Sequence, residues 1–361
     1  MKEINNSHFV LHFFQYQKFT EDYIKFINKN FDESEQVFIL FGDINEYVGD
    51  LHKISMLKNV FLISEIKAKD LLQLLRKSNK VVQHGLFNYK IHLLISLIAR
   101  KKHGIVFWGG DIDLLYNKPA NLEVFIKHII SKLTLNNTVA INLISNDYKI
   151  INDDLRYKFK KHYLAAYYTE LYEKQIIKLP YHHNKEGTKI LLGNSATKTN
   201  NHFEVIDKLS LFEDELFTVY IPLSYGDSNY ANEVEKYAKL KLKDKAVVIT
   251  KFLKPTEYNE FLNMIDIGIF NYYRQQGLGN INRLLILRKK VFINYNSGLL
   301  EHYKKMGIKI YDTNDISAQK FSDFIQFDED NMENNRKILI EELSNDNIAQ
   351  QWNKIFSDDW S

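Results

Sequence analysis

FNYYRQQGLGNINRLL, residues 270–285, decides how the chain is read. It completes an apolar run, MIDIGIF, with the length and make-up of a buried strand, and leads through ILRKK to a second such run, VFINY. Between the runs, Arg274, Gln275, Gln276, Gly277, Leu278, Gly279 and Asn280 occupy the point where strand turns into helix. Glycine tolerates positive φ and lets a ligand approach the backbone. Unpaired amides at a helix start, reinforced by the helix dipole, attract a phosphate. Arg274 can add a bidentate contact. An ordinary βα turn also favours glycine. The dinucleotide and P-loop fingerprints do not fit, because the lysine of the P-loop is missing.

Working outward, strand-like and helix-like segments alternate through both halves. HFVLHFF, QVFILFG, NVFLIS, KVVQHG and GIVFWGGD read as strands in the first half, with helices over TEDYIKFINKNF, KAKDLLQLLRKS and YKIHLLISLIARK. DDLRYKFKKHYLAAYYTELY reads as a long basic and aromatic helix, and KLPYHHNKEGT as a break. The second half repeats the rhythm from KILLGNS to VFINYN, and the residues from Glu341 read as one closing helix. This pattern predicts α/β domains, each a parallel sheet covered on both faces. The boundaries fall at 1–180, 187–340 and 341–361, the last segment packing back toward the N-terminal domain. Two facing Rossmann-like domains place ligands beyond the carboxyl ends of the strands, in a deep cleft between them.

The chain has 361 residues, too many for one ordinary core. A net charge of +3 is too small to argue for nucleic acid. There are no cysteines, which excludes disulfides and thiolate chemistry and fits a cytoplasmic location. MKEINNSHFVLHFF has no signal-peptide pattern, and no window of eighteen uncharged apolar residues spans a bilayer.

Other strand ends carry chemistry. LLGNSATKTNNH, residues 191–202, sets Gly193, Asn194 and Ser195 before a helix, where they can contact a diphosphate or sugar. Ser195 or Thr197 can equally cap that helix. With the Gly277–Gly279 turn, this makes two anion-friendly turns in one domain and suggests a nucleotide diphosphate. His84 in VVQHGLFN and Asp111 in FWGGDID are candidates to take a proton from an acceptor hydroxyl. The structural alternatives are a hydrogen-bonded histidine and a helix N-cap. Asp111 and Asp113 spell a D-x-D that the position makes a coincidence. The adjacent His182 and His183 point different ways, so no metal site is expected. The lysines and aromatics of residues 157–168, with RKKH at 100–103, suit either a solvated face or docking on an anionic membrane.

HGLFN (84–88), WGGDID (108–113), LLGNSATKTNNH (191–202), IPLSYGDSNYANEVEKYAK (221–239) and RQQGLGN (274–280) together resemble glycosyltransferase family 56, from about Val37 to Trp352. The resemblance implies a GT-B fold and transfer of 4-acetamido-4,6-dideoxygalactose, or a similar deoxyamino sugar, from a dTDP- or UDP-sugar. The acceptor is a lipid-linked or surface glycan, as in enterobacterial common antigen synthesis. No metal or other cofactor is implied, since the nucleotide sugar is a substrate. It further implies that Gly193, Asn194, Ser195, Arg274, Gln275, Gln276, Gly277, Leu278 and Gly279 surround the donor, with Tyr225 beside them. Analogy with GT-B enzymes puts Phe252 and Leu253 near the base. One departure stands out: NINRLLIL lacks the glutamate that grips ribose in many retaining relatives, which turns attention to Asn280 or Asn282. The segments around Trp108 also diverge. The expected location is cytoplasmic, peripheral on the inner face of the cytoplasmic membrane. Rival readings are a sugar-nucleotide 2-epimerase and a sugar-nucleotide-binding module without catalysis.

Overall fold

A computed structural model of the chain describes residues 8–17, 19–42, 54, 56–116, 122–168, 175–182 and 187–360. The chain divides into two compact units, Met1–Thr169 with Leu343–Ser361, and Glu170–Glu342.

Among the described residues unit 1 holds seven strands: β1 (Val10–Gln15), β2 (Gln36–Phe41), β3 (Val60–Leu62), β4 (Lys80–His84), β5 (His103–Phe107), β6 (Val139–Asn142) and β7 (Lys161–Leu164). They form one all-parallel sheet in the order β3-β2-β1-β4-β5-β6-β7, with Val10 opposite both Gln36 and Lys80. The strand order reverses between β1 and β4. Successive side chains of a strand face opposite ways. In β1, Val10 and Phe14 therefore join the core that holds Tyr23, Ile24 and Ile27 of helix α1 (Thr20–Asn30). Leu11 and Phe13 join the core of α2 (Ala68–Lys77) and α3 (Tyr89–Ala99) on the other face. Two further helices, α4 (Gly110–Tyr116) and α5 (Leu122–Leu135), lie between β5 and β6. The C-terminal helix Asn345–Ser357 belongs to this unit, and its Ile348, Trp352 and Ile355 complete the core over α1. Burying an aromatic such as Trp352 there contributes about 3 kcal/mol.

Unit 2 holds β8 (Thr188–Leu192), β9 (Phe217–Pro222), β10 (Ala246–Ile249), β11 (Ile267–Phe270), β12 (Lys290–Ile293) and β13 (Tyr311–Asp312) in the order β10-β9-β8-β11-β12-β13, again all parallel. Its helices include α6 (His202–Ser210), α7 (Ser228–Leu242), α8 (Pro255–Met264), α9 (Leu278–Ile286) and α10 (Glu329–Glu342). The order reverses between β8 and β11, whose paired ends bring Gly193 and Asn271 to the same edge. In an open parallel sheet that reversal point is where ligands bind.

Two sequence readings need correction. Residues 153–168 are not a long helix. Ile150–Asp154 is one π-helical turn, and Lys161–Leu164 pairs with β6. Burial there alternates, with Tyr163 and Ala165 inside and Leu164 outside, and this period of two is a strand's rather than a helix's. Residues 169–174 lie outside the described residues. The closing residues are not one helix either: α10 ends at Glu342, and Ser344 caps a new helix by accepting the Asn347 amide at 3.2 Å.

Candidate functional site

In unit 2 the turns that follow β8 and β11 are joined by side chains. Tyr272 is buried and its hydroxyl donates to Asn194 Oδ1 at 2.7 Å. Gln276 Oε1 accepts from Thr199 Oγ1 at 2.7 Å, and Gln276 Nε2 reaches Asn194 Oδ1 at 3.4 Å. Asn194 Nδ2 donates to the Tyr225 hydroxyl at 3.0 Å, which draws in the half-exposed end of β9. The Gly193 amide donates to Ile269 O at 2.9 Å, tying β8 to β11.

The second turn ends at Gly277, whose φ of +71° a side chain rarely adopts. A Cβ there would also come within 2.9 Å of the Tyr272 ring, so the same glycine is needed for packing. Helix α9 then begins. Asn280 and Ile281 donate to Gly277 O, while the amides of Gly277, Leu278 and Gly279 meet no acceptor among the described residues. A Cβ on Gly279 would meet nothing within 4 Å. The helix start is thus open, and open amides with the positive end of a helix dipole bind anions. Arg274 lies half-buried in the same turn, its guanidinium donating to Gln275 O at 3.1 Å. Gln275 is buried, and its side-chain oxygen finds no donor among the described residues.

The structure therefore groups Gly193, Asn194, Ser195, Tyr225, Arg274, Gln275, Gln276, Gly277, Leu278 and Gly279 around one sheet edge. Asn280 is buried in the first turn of α9, and Asn282 accepts from the Tyr303 hydroxyl at 2.6 Å. Phe252 and Leu253 stand apart, just beyond β10 at the end of the sheet, with the Phe252 ring exposed. Neither Ser195 nor Thr197 caps a helix. Asn200 Nδ2 donates to both hydroxyls, at 3.3 and 2.7 Å, which spends them on the loop itself. Sequence reasoning passed over Tyr272, Thr199, Asn200 and Glu204. Three hydroxyls and three amides between Asn194 and Asn201 were the available signal for the first loop. Glu204 opens α6 and accepts from Lys208 Nζ at 2.7 Å, Asn271 Nδ2 at 2.9 Å and the Tyr273 hydroxyl at 3.2 Å, anchoring the start of the second turn.

In unit 1, His84 and Asp111, the two candidate proton acceptors, are both fully buried and hydrogen-bonded inside the protein. Asp111 Oδ1 accepts the Trp108 amide at 2.9 Å and Oδ2 the Leu86 amide at 3.1 Å. Burial pushes its pKa up to about 6 against the pull of these amides. His84 lies between Tyr167 and His12, and burial followed by the neighbouring His12 holds it well below the usual histidine range. The side chain of Asp113 and all of His183 lie outside the described residues; His182 is exposed. Among the described residues no helix is long and apolar enough to cross a membrane.

A family model described as 4-alpha-L-fucosyltransferase glycosyl transferase group 56 matches residues 7–357. A glycosyltransferase from Rickettsia africae ESF-5 superposes with a TM-score of 0.69 at 15% identity, covering 97% of this chain and 98% of that one. Anabaena HepE in complex with UDP and glucose gives 0.65 at 12% identity over 97% and 99%. Sucrose-phosphate synthase from Thermosynechococcus elongatus gives 0.62 at 10% identity over 96% and 98%.

Proposed function

This chain belongs to glycosyl transferase group 56, and from that premise we propose that it moves a deoxyamino sugar, such as 4-acetamido-4,6-dideoxygalactose, from a dTDP- or UDP-sugar to a lipid-linked or surface-glycan acceptor without a metal. The protein is a nucleotide-sugar-dependent glycosyltransferase of GT-B fold. The sugar is suggested by chemistry. Fucose is 6-deoxygalactose, and the 4-acetamido-4,6-dideoxy sugar keeps that skeleton with nitrogen at C4.

The observation that carries the donor reading is the open helix start at Gly277–Gly279, locked to the Gly193–Ser195 turn through Asn194, Tyr272 and Gln276. A diphosphate laid there meets fixed N–H groups and Arg274. That Anabaena HepE holds UDP supports a nucleoside diphosphate on this fold. In the transfer, the acceptor oxygen bonds C1 of the sugar, the bond from C1 to the diphosphate oxygen breaks, and the acceptor proton leaves to a base. Negative charge grows on the departing diphosphate, where preorganised dipoles stabilise the transition state most.

A peripheral membrane contact is supported by α5 rather than by residues 157–168. Leu122, Phe125, Ile126, Ile129 and Leu133 fall on one helical face and are 43% to 73% exposed. Arg100 donates to Leu133 O at 3.2 Å and Lys101 is exposed beside it, setting cations at the edge of the stripe. An apolar face rimmed by cations suits an anionic bilayer.

The test is release of nucleoside diphosphate from a panel of dTDP- and UDP-sugars, with and without a polyprenyl-diphosphate-linked saccharide, alongside a structure with nucleoside diphosphate bound. Acceptor-dependent release, with the phosphates on the Gly277–Gly279 amides, is the expected result. Phosphates bound elsewhere would overturn the donor reading. Turnover without acceptor would favour the epimerase.

A further inference from the structure

Three aromatic rings meet at the carboxyl edge of the unit 1 sheet, beside the point where its strand order reverses. Phe19 follows β1, Phe87 follows β4 and Trp108 follows β5. The Phe87 and Trp108 rings lie 5.8 Å apart at 58°, and those of Phe19 and Trp108 lie 6.5 Å apart at 84°. Phe19 is 42% and Phe87 38% exposed, and Trp108 is half-buried. The Phe87 ring lies over Gly85, where a Cβ would come within 2.5 Å of it.

The indole is fixed from behind by a buried chain. Trp108 Nε1 lies 3.0 Å from the Tyr167 oxygen, which lies 2.5 Å from His84 Nδ1. His84 Nε2 lies 3.1 Å from His12 Nδ1, and His12 Nε2 lies 2.9 Å from Gln36 Oε1. An indole N–H only donates and an amide oxygen only accepts, so the direction is set at both ends. Trp108 donates to Tyr167, Tyr167 to His84, His84 to His12 and His12 to Gln36. Each histidine is neutral and carries its proton on Nε2, and burial keeps His12 down at about 4. The backbone is fixed as well, because Asp111 accepts the amides of Trp108 and Leu86 and so joins the loops that carry Trp108 and Phe87.

We propose that Phe19, Phe87 and Trp108 form the seat for a pyranose ring of the acceptor glycan, with Asp111, His84 and Tyr167 as positioning residues that hold the indole. A pyranose has an apolar face of C–H bonds that stacks on an aromatic ring at one orientation. A polyprenyl chain is indifferent to ring orientation and gives no reason for a four-link hydrogen-bond chain behind one indole. Preorganising the seat lowers the ordering cost of binding. The inference rests on the chain's being a glycosyltransferase and is independent of the donor's identity.

The other two tryptophans, Trp352 and Trp360, are buried, so a ligand-induced change in tryptophan emission reports on Trp108. The full chain is titrated with methyl glycosides of common hexoses and 2-acetamidohexoses, and separately with farnesyl phosphate as a sugar-free lipid. At least one glycoside is expected to shift the emission. Trp108→Phe should abolish the shift, and Phe87→Ala and Phe19→Ala should weaken binding about tenfold, equivalent to about 1.4 kcal/mol. Tyr167→Phe should raise the acceptor KM several-fold at unchanged kcat, which a merely structural role would not do. Wild-type-like cooperative urea unfolding serves as the folding control in every variant. If it is lost in Trp108→Phe, the surface change Phe19→Ala carries the test.

The seat is refuted if no glycoside shifts the emission, if the shift survives Trp108→Phe, or if only farnesyl phosphate produces it. An unchanged acceptor KM in folded Phe19→Ala and Phe87→Ala refutes it equally. All these outcomes leave the donor reading standing. Absence of nucleoside diphosphate release in the wild type would instead strike the transfer reading.

Discussion

The turn after β5 in unit 1 and the turn after β11 in unit 2 both carry two glycines at the carboxyl end of a parallel strand, and both feed a helix. In unit 1 the sequence WGGD supplies its own anion: the Asp111 carboxylate takes the amides of Trp108 and Leu86 and is sealed from water. In unit 2 the sequence QGLGN supplies none, and the amides of Gly277, Leu278 and Gly279 meet no acceptor among the described residues. One carboxylate separates a turn that is finished within the fold from a turn whose helix-start amides are left open among the described residues. Glycines in a βα turn are therefore a weak sign of phosphate binding by themselves. The absence of an acid among them is the more informative feature.

Installing the missing acid should have the largest effect. Gly279→Asp has open space for its side chain and places a carboxylate at a helix start, which the dipole favours. Transfer should fall by about 10²–10³ in kcat/KM, the scale for losing a transition-state anion site, with nucleoside diphosphate no longer raising the melting temperature. Full activity in that variant would move the phosphates elsewhere.

Arg274→Ala removes the cation of the open turn and leaves its amides in place. Its kcat should drop about 10²-fold at nearly unchanged melting temperature. Arg274→Lys should recover only part, since a lysine lacks the bidentate fork.

The reciprocal change, Asp111→Ala, leaves buried amides unpaired in unit 1. It should cost roughly 1–3 kcal/mol in urea unfolding and leave stabilisation by nucleoside diphosphate intact.

The smallest effect concerns pH. The folded pKa of Asp111 is raised to about 6, above its unfolded value, so its contribution is fully present below about pH 4 and is lost as pH rises through 6. The folded pKa of His12 is depressed to about 4, so its contribution is present above about pH 6.5 and is lost as pH falls toward 4. Relative to wild type, Asp111→Asn should gain stability as pH rises from 4 to 7, and His12→Asn should gain as pH falls across the same range. Parallel unfolding curves at pH 4.5 and 7 check both signs. A pair of variants drifting the same way would contradict the assignment.

Periodicity and turn chemistry are enough to read most of the alternating strands and helices, because most strands here are short apolar runs bounded by polar turns, but they pass over α4, α5, β6 and the two-residue β13. They failed at residues 157–168, where lysines interleaved with aromatics imitate a helical face and only pairing with β6 settles the matter. The two turns at β8 and β11 could be read because glycines and amides cluster within a few residues of each strand end. The contacts of Tyr272 with Asn194 and of Gln276 with Thr199 join residues 78 and 77 positions apart, a distance that local pattern cannot bridge. His84 and Asp111 stand out in the sequence only as candidate proton acceptors at strand ends. Their hydrogen-bond partners are brought together by the sheet and include Tyr167, which lies 83 residues from His84.

Trp352 and its helix have a consequence for how the protein is made. Unit 2 is one uninterrupted stretch, 170–342, whereas unit 1 needs residues 343–360 to roof Tyr23 and Phe14. A growing chain leaves the ribosome N-terminus first. The half begun earliest is thus completed last, and a released chain ending at residue 342 would carry all of unit 2 tethered to a unit 1 still lacking its roof.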